Sequence, residues 1–198
     1  MALTLGAPGT YQEEIRKSRF LAQAAPVSSA AEAQAFIAAH SDASASHNCW
    51  AWQVGSQYRS SDDGEPGGTA GRPILAAIQS QDFDQVVVLV TRWYGGIQLG
   101  TGGLARAYGG SAAKCLQAGA QQPLLQRLNG HCHLRFAELP LLKAQLSSLD
   151  GLLLDEHYDG DGARLQLAIP PAQLPALQQV LADLSRGRVQ WQRDAVDN

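Results

Sequence analysis

The stretch that most limits the fold is "DQVVVLVTRWYGGIQLGTGGLARAYGGSA", residues 84–112. A continuous β-branched run such as Val86 to Val90 suits a central strand buried on both faces, and this one ends at Arg92. The chain then turns glycine-rich before "LARAYGGSAAKCLQAG", residues 104–119, where Leu104, Ala107, Tyr108, Ala112, Cys115 and Leu116 share one helical face. Glycine backbone feeding a helix N-terminus can aim N–H groups at an anion, so Gly100, Thr101, Gly102 and Gly103 are candidate anion contacts. The phosphate-loop pattern is missing, because no Gly-Lys-Ser/Thr follows, and the glycine spacing does not match Gly-x-Gly-x-x-Gly. Nucleotide hydrolysis is not supported. Gly109 and Gly110 fall inside the helical pattern, where each costs about 1 kcal/mol relative to alanine. Something should approach that helix closely, and a neighbouring strand is the expectation.

Upstream, "SRFLAQAAPV" (18–27) reads as a strand with Phe20 and Ala22 on one face, entered from a basic turn of Arg16, Lys17 and Arg19. Ser28 and Ser29 offer helix caps, and Glu32 would complete a capping box before Ala33, Phe36 and Ile37, giving a helix that ends near His40. In "HNCWAWQVG" (47–55), Cys49, Ala51 and Gln53 alternate with Trp50, Trp52 and Val54, the period of a strand. Two tryptophans on one face imply a covering layer. "RSSDDGEPGGTAGRP" (59–73) holds four glycines, two prolines and three carboxylates in fifteen residues and is expected to be a loop. Helical spacing resumes in "RPILAAIQS" (72–80), with Pro73 in the first turn.

The two blocks "SDDGEPGGTAGRPIL" and "VVVLVTRWYGGIQLGTGGLARAYGGSA", correctly ordered and spaced, resemble the signature of the IMPACT/YigZ family. The resemblance runs from Glu13 to about Gln117, and the remainder is similar to the smaller C-terminal domain of bacterial members. It implies a mixed α+β fold in two domains: residues 1–123 like the second domain of ribosomal protein S5, and residues 124–198 ferredoxin-like. Both resemble domains of elongation factor G, which implies contact with nucleic acid or the ribosome. Eukaryotic members are non-enzymatic regulators of translation that interfere with the kinase sensing amino-acid starvation by binding its coactivator.

The second half supports that reading independently. Its coarse order is strand 126–136, helix 139–149, strand 152–157, strand 164–169, helix 171–184 and strand 188–193, with "YDGDG" (158–162) as the central turn. That is βαββαβ, the ferredoxin-like pattern, which leaves one sheet face open to a partner.

Charge and cysteine content narrow the function. The net charge is −3, with eight basic against nine acidic residues up to position 123 and seven against nine after it. Wholesale DNA coating is thus disfavoured, although a local patch is compatible with these numbers. Three widely spaced cysteines, Cys49, Cys115 and Cys132, suit reduced thiols, and the N-terminus lacks the pattern of a secretion signal, so a cytoplasmic, non-membrane protein is expected. His131, Cys132 and His133 cannot converge on one metal from a strand, so neither metal nor cofactor is expected.

Two surfaces remain as site candidates. Asp62, Asp63, Glu65 and Thr69, with His47, form an unusual polar loop that either acts on a ligand or bonds its own backbone and nearby arginines. Arg72, Arg92 and Arg106, with Trp93 and Tyr94, form either a stacking and phosphate surface for RNA or a set of core aromatics and paired cations. The function expected is a non-enzymatic cytoplasmic regulator contacting RNA, the ribosome or a translation factor. The alternative is an enzyme or binding protein for an anionic small molecule, using loops 61–72 and 95–106. Neither reading sets an oligomeric state.

Overall fold

The computed structural model describes residues 2–195. The chain divides into two compact units, Met1–Leu124 and Leu125–Asn198.

The first unit is built on a five-stranded antiparallel sheet of β2 (Gly9–Ile15), β3 (Ser18–Pro26), β4 (His47–Val54), β5 (Gln57–Ser61) and β6 (Val86–Trp93), in the order β2-β3-β6-β4-β5. Strand β6 is central, as its β-branched run requires. Val86, Val88 and Val90 pack with Phe20, Ala22, Cys49 and Ala51 against α2 (Gly71–Ser80) and α3 (Gly100–Ala118). Val87 faces the other way, onto Trp52, Ala33 and Ile37 under α1 (Ala30–His40). The alternation of β4 therefore sorts as expected, with Trp50, Trp52 and Val54 beneath a covering helix. Helix α1 is capped by the predicted pair: Glu32 N–H donates to Ser29 Oγ at 3.2 Å, and the Glu32 carboxylate accepts from Ser28 N–H at 2.7 Å. A short ribbon of β1 (Leu3–Leu5) and β7 (Gln121–Pro123) pairs the two ends of the unit.

Strand β2, with the hairpin it forms with β3, escapes the sequence reading. Its two-residue turn, Arg16 and Lys17, has positive φ at both positions (45° and 66°), the conformation of a type I′ turn. The loop expected at 59–73 is shorter than predicted, because Arg59, Ser60 and Ser61 pair with Trp52, Ala51 and Trp50 as β5, and Gly71 already opens α2. Likewise the glycines at 100–103 are the first turn of α3 and not a loop before it. The element that approaches α3 at Gly109 is a helix, not a strand: a Cβ there would lie 3.3 Å from Pro73 Cβ and Pro73 O, while one at Gly110 would meet nothing within 4 Å.

The second unit is ferredoxin-like. It contains β8 (Leu128–Arg135), α4 (Leu139–Leu146), β9 (Leu152–Tyr158), β10 (Gly162–Ile169), α5 (Leu174–Ser185) and β11 (Gln192–Arg193), with strand order β11-β8-β10-β9. Cys132, Leu134, Leu165 and Leu167 form the core with Leu142, Leu146, Leu177 and Leu181 of the helices. Strand β11 is only two residues long, against six expected, and the preceding Val189 and Trp191 pack into that core outside the ladder. Tyr158 and Gly162 belong to the strands, so the central turn shrinks to residues 159–161. No helix among the described residues is long and apolar enough to cross a membrane.

Candidate functional site

Parity along β6 decides the site. Val86, Val88 and Val90 point into the core between sheet and α3, and Arg92, two residues on, follows them. The guanidinium is thereby taken inside, and the side chain is 6% exposed. Its partner comes from the loop between β5 and α2: Arg92 Nη1 donates to Glu65 Oε1 at 2.6 Å, and the Glu65 side chain is 3% exposed. Tyr108, one of the largest fully buried side chains, donates its hydroxyl to the same oxygen at 2.6 Å from α3. Burial is the main reason its phenol is shifted to higher pKa, so it stays a donor. Arg92 Nε and Nη2 both donate to Ser18 Oγ at 3.3 Å. One ion pair thus ties together β3, β6, the polar loop and α3.

The rest of the polar loop serves its own backbone. Asp62 Oδ2 accepts from Gly68 N–H at 2.9 Å, and Oδ1 from Ala70 and Gly71 N–H at 3.1 and 2.8 Å. The α2 start has no cap from its own Ala70, so Asp62 supplies one from across the loop. Burial alone would raise the Asp62 carboxyl, but the three N–H donors and Arg72 outweigh it and hold the pKa below its ordinary value. Asp63 Oδ2 accepts from Asn48 N–H at 2.6 Å, its carbonyl accepts from His47 Nδ1–H at 2.7 Å, and Thr69 donates to Pro66 O at 2.6 Å. Cys49 donates to Asp62 O at 3.0 Å, and burial pushes its thiol up to about 12, which rules out a ready thiolate.

Above Glu65 and Arg92 opens a cavity of about 550 Å3. His47 lines it with Nε2 3.8 Å from Glu65 Oε1. Tyr94, Leu99 and Leu104 supply apolar wall, and Gly100 and Thr101 bring the start of α3 to its rim. Helix α3 begins with no side-chain cap. Arg72 and Arg106 are exposed and do not line this cavity; Arg106 lies beside Gly102 on the outer side of α3. Of the three arginines expected on one surface, only Arg92 reaches the site, and it arrives buried and paired rather than free for phosphate. Gly100, Thr101, Glu65 and Arg92 are brought together. Asp62, Asp63 and Thr69 are not lining residues but build the loop that carries Glu65.

Sequence reading missed Ser18 and the hydroxyl role of Tyr108, and gave no part to Leu99. It named the basic turn of Arg16, Lys17 and Arg19 but gave it no part in a site; all three are exposed, and Arg19 lies 4.0 Å over the Trp93 ring. The turn packs on the glycine segment so closely that a Cβ on Gly95 would fall 1.9 Å from Lys17 O. Tyr94 and Ile97 beside it are 50% and 40% exposed.

In the second unit, His131 and His133 lie on the opposite face from Cys132, as a strand requires. They pair with Asp194 and Asp159 at 2.8 and 2.7 Å. No group of three metal-ligating side chains occurs among the described residues.

Comparison with known proteins agrees with this division of the chain. Residues 16–116 match the family model of the Impact N-terminal domain, and residues 132–188 match a domain of unknown function, DUF1949. The chain is 46% identical over 177 residues to an IMPACT family member in the pol 5′ region of Thermus thermophilus, covering 88% of this chain and 97% of that one. It is 37% identical to the IMPACT family member YigZ of Escherichia coli, with 93% of each covered. A crystal structure of a hypothetical protein superposes with a TM-score of 0.77 at 36% identity, over 99% of this chain and 98% of the other. With its two signature blocks folded around one buried Arg–Glu pair, and relatives matched over nearly their whole length, this chain belongs to the IMPACT family.

Proposed function

We propose that this protein is a non-enzymatic cytoplasmic regulator of translation that contacts ribosomal RNA through the β2–β3 turn and the adjoining Trp93–Ile97 segment. The observation that carries the reading is the exposed cation–aromatic edge. Arg16 and Lys17 are exposed in the turn, Arg19 lies over the Trp93 ring, and Tyr94, next in the chain, is half exposed on the Arg92 side. Guanidinium planes and aromatic faces are what unstacked bases meet in single-stranded RNA, and exposed cations answer the phosphates. A patch of this kind works within a net charge of −3, because three cations at one hairpin act locally.

The test is co-sedimentation with ribosomes at low and raised salt, beside an Arg16→Asn, Lys17→Gly variant. Asn-Gly is the preferred pair for a type I′ turn, so the variant removes two charges while keeping or strengthening the hairpin. Binding should weaken with salt, and the variant should bind less tightly, with the slope of log K on log salt flattening by about 0.7 for each phosphate it no longer neutralises. A folded wild-type protein that stays in the supernatant at low salt would sink the reading.

A further inference from the structure

The cavity over the Arg92–Glu65 pair measures about 550 Å3, and its chemistry is uneven. One side of its floor is an acceptor. Both hydrogen bonds to Glu65 fall on Oε1, leaving Oε2 with none among the described residues, although the side chain is only 3% exposed. The opposite rim is a donor, where a nineteen-residue helix starts without a side-chain cap and Gly100 and Thr101 line the opening. Between them stand Leu99, Leu104 and a half-exposed Tyr94 ring.

A ligand satisfying all three features carries N–H donors at one end, an anion at the other and a flat apolar body between. Inorganic phosphate lacks the body, and an α-amino acid carries its ammonium and carboxylate on one carbon, too close together to reach both sides of the opening. We infer that the cavity takes one nucleoside monophosphate unit, with its base beside Tyr94 and over the Glu65 carboxylate and its phosphate at the first turn of α3. Free nucleotide and a single unpaired residue of an RNA strand share this chemistry. In the second case the inference rests on, and deepens, the RNA reading above, since Tyr94 of the cavity directly follows Trp93 of the cationic edge in the chain.

Titration calorimetry of the full chain with the four 5′-monophosphates, and separately with short unstructured RNA oligonucleotides, tests it alongside two variants. Tyr94→Ala removes an exposed ring. Thr101→Glu places a carboxylate in the first turn of α3, where it favours the helix dipole and repels a bound phosphate. Each variant should weaken binding about tenfold or more, as removal of one stacking ring or one phosphate site does. Thr101→Glu should do so with an unchanged or raised melting temperature, which a purely structural role for Thr101 does not produce. Binding of monophosphates sensitive to both variants supports a nucleotide site, even where RNA fails to bind and the regulatory reading falls. Binding of RNA alone, sensitive to both, supports the same site filled by a strand. RNA binding that ignores both variants while monophosphates give no heat overturns the cavity as a site and leaves the cationic edge standing. Absence of heat from every probe overturns it as well.

Discussion

Two glycine-rich segments of the first unit, residues 62–70, which carry Glu65 of the buried ion pair, and residues 95–103, which follow its Arg92, have opposite fates. The first contains its own acceptors. Asp62 takes the N–H groups of Gly68, Ala70 and Gly71, and Thr69 closes onto Pro66, so little of its polar backbone is left over for a ligand. The second has only Gln98 and Thr101 as polar side chains, and α3 begins with no side-chain cap. Glycine content does not mark a binding segment by itself. What separates the two is whether a carboxylate or hydroxyl of the same segment already answers the exposed N–H groups.

The largest effect is expected where the two segments are joined. Arg92→Ala leaves Glu65 and its Oε1 inside the protein with Tyr108 as the remaining close donor. Removing one partner of a buried pair costs about 3–5 kcal/mol, because the other charge stays uncompensated. Urea unfolding should show this destabilisation, and Arg72→Ala, at an exposed position, should stay within about 0.5 kcal/mol of wild type. Equal effects for the two would mean that Arg92 does not carry the junction.

A smaller effect tests the closed segment alone. Asp62→Asn weakens three N–H contacts at the start of α2 and should cost about 1–2 kcal/mol near neutral pH, in the range of a removed helix cap. The pKa of Asp62 is lower in the folded protein than the ordinary 3.8. Its contribution is therefore full above that ordinary value and disappears as pH falls through the lowered one. The difference between wild type and Asp62→Asn should hold from neutral pH down to about 5 and shrink in more acid solution. A difference that grows toward acid pH would reverse the assignment of the donors.

How far the sequence revealed all this depends on the range of each interaction. The Ser29 and Glu32 caps, the alternation of Trp50 and Trp52 and the βαββαβ order are local patterns, and they were legible. Strand β2 was not, because Glu13 and Glu14 interrupt its apolar alternation and its pairing with β3 depends on the turn at Arg16 and Lys17. The glycines at 100–103 read as loop because their helix propensity is poor; packing of Leu104, Ala107 and Tyr108 overrides it. Arg92 and Glu65 lie 27 positions apart, and no local pattern pairs them. The usable signal was parity, since a residue two beyond Val90 must face the same core.

Effects of opposite sign separate glycines that hold structure from those that do not. Gly95 opens the second segment and Gly110 lies about two helical turns beyond its end, and alanine at the two positions meets opposite surroundings. At Gly95 the new methyl would fall 1.9 Å from Lys17 O, so the β2–β3 turn has to move and stability should drop. At Gly110 the methyl meets nothing within 4 Å, and the backbone there is ordinary helix, so alanine gains about 1 kcal/mol of propensity and chain entropy. Thermal unfolding of the two single variants reads both signs. Because the cationic edge is built on the Gly95 contact, Gly95→Ala should also weaken ribosome co-sedimentation, whereas Gly110→Ala should raise the melting temperature and leave binding where it was. A Gly110→Ala protein that is more stable yet no longer binds would place a contact on the open flank of α3, and the boundary of the ligand-facing segment would have to be extended along the helix to that position.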